Sequence, residues 1–186
     1  MKASIFQHEI SKTSSVFGRK SDVQVVFQGD QAATDGSTIV IPAINTQADV
    51  TDEQAAIIRG YVDHESGHVR YSDMDALAEA SREAQAEGNV LRPALINALE
   101  DVWLERKVRQ EYPGAERNLR ATVTAVNREF LGQVVKGDPR LSQDEFVTPV
   151  ALTWEGRKGY GGETCEECLE LLDDGLRKAL GKWIAA

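Results

Sequence analysis

The chain has 186 residues, 41% of them hydrophobic and 27% charged, enough for one folded domain with an extension and too apolar for a disordered chain. With 21 basic against 30 acidic side chains the net charge is −9, and no run of Lys and Arg offsets it, so binding to nucleic acid or to an anionic membrane surface is not expected. The first fifteen residues lack an apolar stretch of signal-peptide length, no other stretch reaches the length that spans a bilayer, and two cysteines cannot form a disulfide scaffold; the expected setting is cytoplasmic.

Residues 1–20 are polar without a clean period and read as an N-terminal arm. Val23–Phe27 and Thr38–Ile41 are β-branched runs, the second ended by Pro42. A short strand at Gln31–Thr34 is expected to hairpin into the second run through Asp35-Gly36, giving a small antiparallel sheet. Thr51-Asp52-Glu53-Gln54 fits a capping box, and the helix it starts runs to about Tyr71 with Ile57, Ile58, Tyr61 and Val62 at helical spacing. Asp73–Asn89 is rich in Ala and Glu and reads as a frayed helix. Another helix is predicted from Pro93 to about Tyr112, stopped by Pro113-Gly114. Three amphipathic segments follow, Leu119–Val134, Phe146–Trp154 and Leu169–Trp183, with a second capping-box sequence at Ser142–Glu145. Gly156–Gly162, with four glycines and no aliphatic residue, reads as a loop and hinge.

The strongest chemical signal is His64-Glu65-Ser66-Gly67-His68. Residues four apart share a helix face with Cβ atoms roughly 5–6 Å apart, so both imidazoles can reach one ion, and Glu65 then stands beside its open position. This is the H-E-x-x-H pattern of zinc hydrolases, in which the glutamate takes a proton from the attacking water. With three histidines and 17 glutamates in the chain, chance placement gives roughly 0.004 such matches. Ile57 and Tyr61 lie on the same face as His64 and His68, so that face is otherwise apolar.

A site of this type takes a third protein ligand. His8 is the remaining histidine, and a carboxylate from the next helix is the commoner solution. On that helix Leu95, Ile96, Leu99, Val102 and Trp103 span an arc of about 120° that is predicted to face the core. Glu100 lies about 40° beyond its edge, while Asp101 and Glu105 point away from its centre, which makes Glu100 the geometric choice. Cys165 and Cys168 have ligand spacing but no further pair or nearby histidine, and are expected to be free thiols. Glu163–Asp174 reads as a solvated acidic face, Tyr61 and Tyr71 as packing residues, and Trp103 and Trp154 as core anchors.

Together with Ile39-Val40-Ile41-Pro42, Leu99-Glu100-Asp101, Tyr112-Pro113-Gly114-Ala115 and Asn118-Leu119, the histidine motif resembles the N-terminal region of cobaltochelatase-subunit-like proteins, including phage homologues, over about Val23–Leu119. These are zincin-like metallopeptidase domains. The resemblance implies an α+β zincin-like core over 21–115 with a small antiparallel sheet packed on the histidine helix, and the amphipathic segments beyond it give a helical extension over 116–186. It implies Zn2+ held by His64, His68 and either Glu100 or Asp101, with Glu65 as the base. It also implies that Thr38–Ile41 is an edge strand along which a peptide or protein substrate lies. Larger members carry a von Willebrand factor A domain with an Asp-x-Ser-x-Ser metal loop, which does not occur in this chain. The expected function is a zinc-dependent metallopeptidase. The alternative is a non-catalytic zinc-binding structural or interaction module of a larger assembly.

Overall fold

The computed structural model describes residues 1–17, 23–137 and 144–172. Among them are seven helices and a three-stranded sheet, so the fold is α+β and mostly helical. In chain order these are α1 (Ala3–Phe17), β1 (Gln24–Phe27), β2 (Ala33–Thr34), β3 (Thr38–Ile41), α2 (Asp52–Tyr71), α3 (Met74–Ala86), α4 (Leu91–Glu111), α5 (Ala115–Val135), α6 (Asp144–Gly161) and α7 (Glu163–Leu169). Among the described residues no helix is long and apolar enough to cross a membrane. The chain divides into two compact units, Met1–Met74 with Leu104–Thr122, and Asp75–Trp103 with Val123–Ala186. Helices α4 and α5 each run unbroken through a unit boundary.

In the first unit, Phe6, Ile10, Val23, Ile39, Ile41, Ile58, Val62 and Val69 form the core. Where the sequence reads as a polar arm, residues 3–17 form α1 and bury Ala3, Phe6 and Ile10. That stripe has the three- and four-residue spacing of a helix, but the polar residues between its members dilute the period. The start of the chain is tied down as well: the Ala3 N–H donates to the Ala48 carbonyl (3.2 Å), and the Val50 N–H to the Met1 carbonyl (2.8 Å).

The expected hairpin forms, pairing β2 with β3 antiparallel, with Gly36 at φ +89° in the turn. The Asp35 carboxylate accepts from the Ser37 and Thr38 N–H groups at 2.8 and 2.7 Å. The sheet as a whole is not antiparallel, however, because β1 pairs parallel with β3 and the strand order is β1-β3-β2. Thr38–Ile41 is therefore the central strand rather than the edge expected from the resemblance. Ile39 and Ile41 are fully buried, and a two-residue β2 covers only part of one side of β3, leaving the other side to β1.

Helix α2 begins as the sequence predicts. The Thr51 hydroxyl accepts from the Gln54 N–H (3.1 Å), and the Gln54 side chain accepts from the Thr51 N–H (3.0 Å). Two glycines bring its backbone against its neighbours. A Cβ on Gly67 would lie 2.2 Å from a Leu104 methyl, and one on Gly60 would lie 2.0 Å from the Thr122 hydroxyl. Both would be far inside van der Waals contact.

The second unit has its own core of Ala98, Ala151, Leu152, Trp154, Cys168 and Leu169. The expected loop at Gly156–Gly162 is helical as far as Gly161, and Gly156 serves close packing instead: a Cβ there would lie 2.5 Å from two Val102 methyls. Trp154 is a core anchor, as expected, but Trp103 is 42% and Leu99 51% exposed. The buried side of α4 comprises Ala98, Val102, Leu104, Glu105 and Val108. The predicted arc is displaced because one buried member is the charged Glu105, which an apolar count passes over. Ser142, Gln143 and residues 173–186 lie outside the described residues, and so do the cap of α6 and the end of the last amphipathic segment.

Candidate metal centre

The site is built on α2. Its three-turn apolar lead-in, capped at Thr51 and packed through Gly60, fixes the helix before the histidines are reached. His64 and His68 stand one turn apart on one face, ring centroids 4.9 Å apart and nearly perpendicular. Glu65 lies between them in sequence and is only 6% exposed; His68 is 8% exposed.

Each imidazole is held at Nδ1. His64 Nδ1 is 2.9 Å from Glu105 Oε1, and His68 Nδ1 is 2.9 Å from the Ser72 hydroxyl. The ionised Glu105 carboxylate only accepts, so His64 Nδ1 carries the proton and Nε2 is left to face a metal; the Ser72 hydroxyl can donate or accept, and it holds the His68 ring in place without fixing its tautomer. Glu105 is 2% exposed, and its burial is explained by this contact. Sequence reasoning placed Glu105 away from the core. The signal available for it is its position one turn after Asp101, since residues four apart share a face.

That same spacing orders the carboxylates of α4. With Glu105 against His64, Asp101 lies one turn earlier on the same face of an unbroken helix, and Glu100 is turned about 100° aside. Ligand atoms of His64, His68 and Asp101 all lie within 4.8 Å of one another, and these three can hold a metal ion. Glu100 is partly buried and is not a member of that group. His8 is exposed on α1 and is not a member either. Asp101 is itself positioned, accepting from Asn97 Nδ2 (3.3 Å) and lying 3.8 Å from an Arg157 nitrogen.

Asp63 and the last turn of α2 are tied to neighbouring helices. Asp63 accepts from Asn118 Nδ2 at 2.8 Å, and burial pushes its carboxyl up to about 6 against the opposing effects of that bond and of Arg59. At the end of α2, Arg70 and Tyr71 both donate to Glu111 on α4, and Arg70 also donates to the Tyr112 hydroxyl. Burial, followed by the Glu111 contact, raises the Tyr71 hydroxyl to about 12. Tyr71 thus fastens α2 to α4, a packing role.

Cys165 and Cys168 are both buried, and no disulfide joins them, as the sequence predicts. Burial first, then Cys165 and Glu167, pushes the Cys168 thiol up to about 12. No His, Asp or Glu joins them in a metal-holding group among the described residues.

No curated protein and no solved structure matches the chain. Residues 2–146 match the family described as cobalamin biosynthesis protein CobT, and this stretch contains α2, α4 and every residue of the metal centre. The match is consistent with a cobaltochelatase-subunit-like region. Because it spans most of the 186 residues, the chain belongs to the CobT family.

Proposed function

We propose that the chain is a zinc-dependent metallopeptidase with a zincin-like centre, in which His64, His68 and Asp101 hold the ion and Glu65 is the general base. The observation behind this is the metal-holding group of His64, His68 and Asp101, with Glu105 and Ser72 each 2.9 Å from an Nδ1 and so steadying the two rings. Two neutral imidazoles and one carboxylate are a donor set that zinc takes, and three protein ligands are the number that leaves a position open. Of the two carboxylates weighed from sequence, the helix geometry favours Asp101 over Glu100.

Zinc, when bound, lowers the pKa of water and polarises a carbonyl. The chain's own residues do the rest. Glu65, shielded from bulk water, takes a proton from the attacking water as its oxygen adds to the peptide carbonyl carbon. It holds that proton and passes it to the amide nitrogen as the C–N bond breaks, leaving a carboxylic acid and an amine. Glu105 keeps the His64 proton on Nδ1, and Ser72 holds the His68 ring in place. The substrate is a peptide or protein, and the two free thiols suit a reducing, cytoplasmic setting.

The family match favours a second reading: a non-catalytic metal-holding module that works with a protein partner in a larger assembly related to cobaltochelatase subunits. One pair of variants separates the two. Glu65→Gln keeps size and removes the base, so the hydrolase reading expects a folded, zinc-loaded protein whose digestion of a peptide library falls 10²–10⁴-fold, about 3–5 kcal/mol of barrier. His64→Ala should lose zinc affinity as well as rate. No cleavage by the parent, with zinc bound in both, would favour the module. Equal cleavage by the parent and Glu65→Gln would expose a contaminating protease.

A further inference from the structure

A cavity of about 450 Å³ lies against the first three turns of α2, lined by Pro42, Ala43, Ile44, Ile57, Ile58 and Tyr61 among others, and its lining is mainly apolar. A volume in this range suits a bound group larger than one small aliphatic side chain. Its floor and the metal centre belong to one helical stripe, because Ile57, Tyr61, His64 and His68 follow one another at spacings of four, three and four. The cavity is thus continuous in direction with the histidine face. Its outer wall is fixed by backbone bonds: Ala43 N–H to the Gly29 carbonyl (3.0 Å), Ala48 N–H to the Asn45 carbonyl (3.0 Å), and the bonds that tie Ala48 and Val50 to the start of α1. A cleft held in this way is formed before anything enters it.

We propose that this cavity is a specificity subsite that receives a bulky apolar side chain of the peptide substrate; the proposal rests on the metallopeptidase reading. Ile57 precedes His64 by seven residues, a rise of about 10 Å, which an extended peptide covers in about three residues. The favoured substrate therefore carries an aromatic or large aliphatic residue about three positions from the scissile bond. Tyr61, at the end of the cavity nearer the histidines, offers a ring to pack against it. Asp30 and Asp49 also line the cavity; Lys2, 3.3 Å from Asp49, offsets that charge, and the Asp30 carboxylate disfavours an acidic residue beside the apolar one.

The test uses a Ser/Gly host octapeptide and the same peptide with one Phe, titrated into the full chain as Glu65→Gln with zinc and as metal-stripped wild type. The Phe peptide should bind at least about tenfold more tightly than the host. Ala43→Trp and Ala48→Trp replace exposed small residues at the wall, and each should remove that preference while zinc content stays the same. Should either fail to fold, amide NMR shifts on wild type decide: Phe-dependent changes at Ala43, Ile44 and Tyr61 support the subsite, and changes elsewhere overturn it. Undiminished Phe preference in the filled variants, or no Phe-dependent binding up to about 1 mM, also overturns it. Failure of the two ideas is distinguishable. Phe-dependent binding blocked by Ala43→Trp without any cleavage keeps the subsite and removes the hydrolase, whereas cleavage with the same preference in the filled variants does the reverse.

Discussion

Two motifs in this chain have the spacing of metal ligands, His64–His68 on α2 and Cys165–Cys168 on α7, and the molecule treats them in opposite ways. Around the histidines it places charge and hydrogen-bonding groups: Glu105 and Ser72 at the two Nδ1 atoms, Asp101 in the same metal-holding group, and Glu65 buried alongside. Beside Cys165 it places neutral side chains. Asn127 donates to Cys165 Sγ (3.4 Å) and Thr164 Oγ1 (3.3 Å) and accepts from Trp154 Nε1 (3.0 Å). At Cys168 burial disfavours the thiolate that a metal would need and pushes the thiol up. Spacing makes a ligand pair possible; the polarity of its surroundings decides whether one exists.

The largest effect that tests this contrast is at Glu105. Glu105→Gln keeps the shape of the contact to His64 and removes its charge, so zinc affinity should fall about 10–100-fold in competition with a chelating dye, while the fold is kept. Unchanged affinity would reduce Glu105 to a packing residue. On the other side, Asn127→Ala strands the buried Trp154 Nε1–H and should cost about 2 kcal/mol in denaturant unfolding, with no change in zinc affinity.

A smaller effect is expected at Asp63, next to the histidines but outside the metal-holding group. Its carboxyl is raised from 3.8 to about 6, so the fold favours the protonated form. The associated stability is complete below about pH 4 and is lost as pH rises through about 6. Asp63→Asn keeps an acceptor for Asn118 and cannot ionise. Metal-stripped protein carrying it should be more stable than wild type at pH 7.5 by on the order of 1–2 kcal/mol, with the difference vanishing near pH 4 in urea melts. A difference independent of pH would remove the titration from the explanation. Smallest of all, replacing Cys165 and Cys168 together by Ser should leave zinc stoichiometry at its wild-type value by elemental analysis.

Legibility in the sequence followed the range of the interaction. The Thr51 cap, the Asp35-Gly36 turn and the histidine pair are set by residues within four or five positions of one another, and each is found where the sequence puts it. The parallel β1–β3 pairing joins residues fourteen apart, Gln24 with Thr38, and has no local mark. Glu105 lies 41 positions from His64, and a lone Glu on a helix looks solvated until its partner is known. The glycines at 156 and 161 resemble loop residues because composition does not distinguish a glycine that frees the backbone from one that makes room for a neighbour.

Gly67 belongs to the second kind, and it ties three positions into one unit of sequence change. With no side chain at 67, Leu104 and Val108 fit directly against the α2 backbone, and that separation is the one across which His64 meets Glu105, the residue after Leu104 on α4. A Cβ at 67 would lie 2.2 Å from a Leu104 methyl and 2.8 Å from a Val108 methyl, so a chain that acquires Ala there must make room at both 104 and 108 or push the two helices apart. Gly67→Ala alone should weaken zinc binding without touching a ligand, and Leu104→Ala by itself should restore it only in part, because Val108 still blocks the new methyl. In designed libraries of this scaffold the three positions should be varied jointly, because sampled singly each will look immutable.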